Sequence, residues 1–119
     1  MANLEKVANA MEQQQADLTE ISFQIILYAG NGKSFAMEAI QEAKRKDFIR
    51  ADELIVQAGE ELAKAHEYQT KLIQQEAMGQ SNPLNVLLIH SQDHLMTSMT
   101  VRDLAVEIIE IYRYKEWDK

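Results

Sequence analysis

Cysteine is absent from the 119-residue chain, which removes disulfides, thiolate nucleophiles and zinc ribbons together. Proline occurs once, at Pro83, and glycine four times, so long stretches run without a helix breaker. No run of about 18 apolar residues exists, and nothing is expected to span a membrane. The N-terminus lacks the basic, apolar and small-residue order of a secretory signal. Basic residues are the scarcer charge: 12 Lys and Arg face 19 Asp and Glu, a net charge of −7. That argues against nucleic acid as the main partner, because a phosphate backbone calls for a cationic surface. The lone basic cluster, Lys44-Arg45-Lys46 with Arg50, falls where a first helix should end, and cations there complement the helix dipole. Internal repeats and low-complexity segments are also missing. A soluble, cytoplasmic, single domain over residues 1–119 is expected, long enough to bury a core.

What is present is helical periodicity. Residues 1–15 form a polar extension, helical or frayed, in which Gln13-Gln14-Gln15 has little to bury. From about Ala16 to Lys46, the residues Leu18, Ile21, Ile25, Tyr28, Gly32, Phe35 and Ala39 keep an alternating three-four spacing, the stripe of a bundle helix. Gly30 and Gly32 weaken its middle, and they allow a kink or the close approach of another backbone. Gly32-Lys33-Ser34 is not a phosphate-binding loop. That motif requires glycine where Leu27 stands, and a strand before it.

Asp47 suits the N-cap of a second helix, along which Phe48, Ala51, Ile55, Ala58, Leu62, Ala65, Gln69 and Leu72 continue the spacing. Its alanines permit close packing, and Gln69 needs a hydrogen bond if buried. His66, beside the stripe, is expected to be a partly buried structural histidine. Gly79 suits a left-handed helix end. Asn82 and Pro83 suit the N-cap and first position of a third helix that runs to about Lys115. Three helices with short joints predict an all-α, antiparallel, up-down-up bundle.

The chemistry gathers on the third helix. Between Leu84 and Val101 there is no Lys, Arg or Glu, and the one formal charge is Asp93, flanked by His90 and His94. His90, Asp93 and Thr97 share a face at i, i+3 and i+7. Leu84, Leu87, Leu88, Leu95, Met96 and Met99 occupy the others. A helix apolar nearly all round is buried on more than one side, which points to neighbours from its own subunit and from another. Self-association through this face brings equivalent residues together. Carboxylates meeting on an axis at about 4 Å repel by about 4 kcal/mol per pair at an effective dielectric near 20. They then share protons or gather a cation, and a hard oxygen cluster favours magnesium or calcium. His90 fits a metal ligand alongside Asp93 and His94, a general base, a phosphoryl acceptor, or a satisfied core histidine.

The run His90-Ser91-Gln92-Asp93-His94-Leu95-Met96-Thr97-Ser98-Met99 resembles the signature of the lactose/cellobiose-type IIA components of the bacterial sugar phosphotransferase system. Ala65-His66, Gln69-Thr70 and Leu72-Ile73 resemble that family's second helix, and Ala29-Gly30 through Ser34 its first-helix turn. The similarity covers roughly Asp17–Tyr114; Ser91 departs from the alanine of many members. The resemblance implies a homotrimer of three-helix bundles. It further implies that His90 is transiently phosphorylated by the histidine-containing phosphocarrier protein and passes the group to a cysteine of the cognate IIB component, for uptake of a lactose-, cellobiose- or chitobiose-type disaccharide. Asp93 would meet its symmetry mates on the trimer axis and bind one magnesium ion. Contact with the membrane would be indirect, through the sugar permease. Ser91, Gln92 and His94 are candidates to hydrogen-bond the ring or phosphate. The alternative reading is a helical oligomeric interaction module in which His90 and Asp93 only fix register.

Overall fold

The computed structural model describes residues 2–117. It holds three helices, α1 (Ala2–Lys44), α2 (Phe48–Ala77) and α3 (Val86–Trp117). They run up, down and up, as the periodicity predicts, in a rod of 78 × 21 × 20 Å. Helix α1 packs along both others, whereas α2 and α3 meet much less extensively. Among the described residues no helix is long and apolar enough to cross a membrane.

Two ladders of alanine explain the tight pairing of α1 with α2. Ala29, Ala36 and Ala43 face Ala51, Ala58 and Ala65, each at most 1% exposed. Side chains this small bring backbones together, and Gly32 carries the effect furthest. A Cβ there would lie 2.6 Å from the Leu62 side chain and 3.2 Å from the Ala58 carbonyl oxygen. The core then alternates alanine with larger residues: Ile25, Leu62 and Leu95 form one layer, and Leu54 and Ile109 the far one. Tyr28 and Tyr68 close the first layer by stacking at 6.2 Å.

The helix ends follow capping chemistry. Lys46 takes a left-handed φ of 67°. Its N–H bonds the Ala43 carbonyl and the Asp47 N–H bonds that of Glu42, a Schellman ending built on lysine. Asp47 then caps α2, its carboxylate accepting from the Arg50 N–H at 3.1 Å. Gly79, with φ 85°, ends α2 in the same way, the Gln80 N–H reaching the Gln75 carbonyl at 2.8 Å.

Two boundaries differ from the sequence reading. The first helix begins at Ala2, not near Ala16, because residues 2–15 contain no Gly or Pro and are rich in good helix formers. Gln14 also ties this extension to the α2–α3 loop, donating to the Ser81 carbonyl at 3.2 Å. The third helix begins at Val86, not at Pro83. Asn85 is its cap, accepting from the Leu88 N–H at 2.7 Å. Asn82 is drawn away, its amide donating to Gln75 and its carbonyl accepting from Gln14. His66 is exposed, not partly buried: it lies one residue past the buried Ala65, about 100° around the helix.

Candidate functional site

Helix α3 is apolar on its outside as well as its inside, as the sequence reading expected. Leu95, Ser91, Ser98 and Ala105 are buried against the bundle. On the opposite face, Val86, His90, Asp93, Thr97, Thr100 and Leu104 are all exposed and spaced by fours and threes, with exposed Ile111 a further seven residues on. Val86 is 83%, Leu104 57% and Ile111 65% exposed, so one chain leaves this stripe uncovered. Exposed apolar side chains recurring at heptad-like spacing suit packing against another helix.

His90 stands at the edge of that stripe, on the side toward α1. Its ring stacks on that of His94, one turn on, with centroids 5.9 Å apart and planes 15° from parallel. His94 is half-buried and lies against α1 where Gly30 leaves room: a Cβ on Gly30 would sit 3.3 Å from His94 Nε2. Burial first, then the neighbouring His90 and the Lys33 ammonium, push the His94 pKa below its usual 6.5, with Asp93 opposing. His94 is thereby biased to the neutral form. The pair consists of an outer, solvent-facing imidazole and an inner one held against the bundle.

Ser91 and Gln92 do other work than the sequence suggested. Ser91 is fully buried, and its hydroxyl donates to the Leu88 carbonyl at 2.6 Å and accepts from Gln92 Nε2 at 3.3 Å. Gln92 Oε1 accepts from Gln69 Nε2 at 2.9 Å. This chain of bonds satisfies Gln69, as its burial required, and ties α3 to α2 on the side away from His90. Successive residues on a helix diverge by about 100°, so neighbours of His90 in sequence are not its neighbours in space. Thr97 spends its hydroxyl on the Asp93 carbonyl at 2.8 Å.

The same divergence separates Asp93 from His94. Among the described residues no group of three or more His, Cys, Asp or Glu side chains is placed to hold a metal ion. The reading of His90, Asp93 and His94 as one chain's ligand set is therefore not met by the fold. Asp93 is exposed on the outer seam, one carboxylate per chain. Sequence reasoning did not connect Gly30 and Lys33 to the histidines. The only signal was a glycine in mid-helix, and its partner lies 64 residues further along the chain.

Comparison with known proteins agrees with this geometry. The family described as the lactose/cellobiose-specific IIA subunit of the phosphotransferase system matches residues 20–113. The lichenan-specific phosphotransferase enzyme IIA component of Bacillus subtilis is 54% identical over 96 residues, covering 81% of this chain and 87% of that protein. The crystal structure of the cellobiose-specific enzyme IIA from Bacillus anthracis superposes with a TM-score of 0.82 at 50% identity, covering 84% of this chain and 92% of that one. The IIA(Chitobiose) of Escherichia coli, solved in complex with HPr, gives a TM-score of 0.73 at 36% identity, covering 83% and 96%. With nearly the whole bundle matched in sequence and in backbone, the chain belongs to the lactose/cellobiose-specific IIA family of the sugar phosphotransferase system.

Proposed function

We propose that this chain relays a phosphoryl group through His90, from the histidine-containing phosphocarrier protein to a cysteine of its IIB partner. The observation that carries this is an exposed imidazole, backed by a second ring, at the edge of the outer face of α3. A carrier must be open to two visiting proteins in turn, and the other two histidines fit less well. His94 is held against α1, and His66 lies in a separate cleft with Arg102 and Asp103.

The chemistry is two in-line displacements. A ring nitrogen of neutral His90 attacks the donor's phosphorus, an N–P bond forms, and the donor imidazole leaves with the electron pair. The IIB thiolate then attacks the same phosphorus, an S–P bond forms, and His90 leaves with the N–P electron pair as the neutral ring, its other nitrogen having kept its proton throughout. Such transfers depend mainly on positioning and on charge around a metaphosphate-like group. The stack with His94 limits the swing of the acceptor ring, and Lys33 supplies positive charge nearby.

The exposed seam of α3 supports a homotrimer packed through that face. Asp93 fits a magnesium site only in such an assembly, because one chain offers a single carboxylate and three chains offer three. Bound magnesium would neutralise that like charge. The sugar is a β-linked disaccharide of the lactose, cellobiose or chitobiose type, in keeping with the names of the relatives, and the carrier works in the cytoplasm.

The test is incubation with the phosphocarrier, its kinase and phosphoenolpyruvate. Acid-labile phosphate should appear on the wild-type chain and be absent from His90→Ala. Label on His94 or His66 overturns the assignment.

A further inference from the structure

We propose that Gly30 is a positioning residue for the transfer. By carrying no side chain, it leaves on α1 the seat in which the His94 ring rests, and that seat fixes the ring stacked on His90. The inference rests on the reading of His90 as the acceptor.

Glycine has no backbone reason to be at position 30. The helix runs unbroken through it, and Gly79 is the only described glycine whose φ is positive. Glycine is a poor residue in a helix interior, so something else must favour it. Gly32, two residues on, clears space for Leu62 and the Ala58 carbonyl. Gly30 clears space for a single group: within 4 Å of where its Cβ would be, the one atom found is His94 Nε2, at 3.3 Å. That is tighter than ordinary packing, so an added methyl shifts the imidazole by a few tenths of an ångström. The same ring also stacks on His90, at 5.9 Å between centroids. A displaced His94 therefore presses on the acceptor or loses the stack.

In-line attack is sensitive to such shifts, since a misplacement of 1 Å is worth about a hundredfold in rate. Gly30→Ala is expected to slow phosphorylation of His90 by about three- to tenfold. The same substitution removes a helix-breaking residue, so its melting temperature should hold or rise. A merely structural glycine would show the opposite combination.

The experiment is single-turnover phosphorylation of the full chain by the phosphorylated phosphocarrier, with rapid quench and a titration of donor. The maximal rate should fall threefold or more while the half-saturating donor concentration stays put. In a His94→Ala background, where the Cβ has no ring to meet, Gly30→Ala should change nothing further. A smaller loss in Gly30→Ala overturns the proposal, as does an equal loss in both backgrounds. If Gly30→Ala does not fold, the wild-type chain still decides. A nuclear Overhauser contact between the Gly30 α-protons and the His94 ring supports the seat, and its absence overturns it. A wild-type chain that accepts no phosphoryl group sinks the carrier reading and this inference together. Normal wild-type transfer with an unaffected Gly30→Ala sinks only the inference.

Discussion

Adding one methyl group to this bundle should stabilise it at one helical glycine and destabilise it at another. At Gly32 the new Cβ would meet Leu62 Cγ at 2.6 Å, Leu62 Cδ2 at 2.8 Å and the Ala58 carbonyl at 3.2 Å. The first two contacts are closer than carbon atoms tolerate, and one of them is to Leu62 Cγ, near the root of a side chain only 6% exposed. Overpacking of this kind costs about 1–3 kcal/mol, against a helix-propensity gain of about 1 kcal/mol for Gly→Ala. Gly32→Ala should therefore lose about 1 kcal/mol, lowering the melting temperature by about 4 °C. At Gly59 the nearest atom is Arg102 Nη2, at 3.5 Å, an ordinary contact, so Gly59→Ala keeps the propensity gain of about 0.5–1 kcal/mol. The assay is thermal and urea unfolding of both variants at one matched protomer concentration, because an oligomer's stability depends on concentration. A third variant isolates the cause. Leu62→Ala costs about 2–5 kcal/mol by itself, but with that side chain gone Gly32→Ala should become stabilising, a coupling visible in a double-mutant cycle. If Gly32→Ala and Gly59→Ala shift stability by the same amount, the close approach of α1 to α2 is wrong.

Three further outcomes follow from the structure. Asn85→Ala should lose about 1 kcal/mol in urea unfolding, as removal of an N-cap does, whereas Asn82→Ala should lose less; the reverse order would restore Pro83 as the helix start. If the proposed trimer and its magnesium are right, Asp93→Leu should keep the trimer by light scattering while abolishing magnesium binding, because removing the like charges also removes the need for the cation; a monomer would mean that the metal itself joins the subunits. His94, with its pKa held below 6.5, binds fewer protons folded than unfolded, so its contribution to stability is complete above pH 6.5 and declines as pH falls toward the lowered value. Acid-side unfolding curves should therefore be shallower in His94→Gln, and unchanged curves would refute the burial argument.

The helix count, the direction of each helix and the start of α2 were legible because each rests on local chemistry. Alanine at heptad spacing, Asp47 before an apolar stripe and Gly79 after one all act within a turn or two. Features that failed to show depend on distant residues or on angle. Asn82 and Asn85 are both competent caps, and the choice between them is made by Gln14 and Gln75, which hold Asn82 elsewhere. The extension before Ala16 has no deep stripe to reveal it, since Leu4, Val7 and Met11 stay exposed along α1. Ser91 and Gln92 stand beside His90 in sequence, yet the helix turns them toward the core and α2. The histidine-rich string marked the candidate site, and the fold decided which of its members face the solvent.

In the proposed relay His90 must stay reachable by two proteins, although α3 is the helix with most to hide. The outer stripe explains how both are met. Its centre runs through Val86, Asp93 and Leu104, whereas His90 lies rotated toward α1, by about 40° on an ideal helix. In the proposed trimer the central positions meet their counterparts on the axis, where apolar contacts and a carboxylate cluster belong. A position rotated off that line emerges at the groove between subunits, open on one side. A histidine on the stripe's midline would be sealed by its own copies, and one on the far face would be sealed by α1 and α2. The intermediate angle leaves an imidazole that is backed by His94 and still exposed. Moving the pair one residue, by exchanging His90 with Ile89, should therefore keep the assembly and lose phosphorylation, since the ring would emerge on the α2 side, without His94 behind it. Retained transfer in that exchange would show that the groove tolerates either edge, and that the stack is not needed.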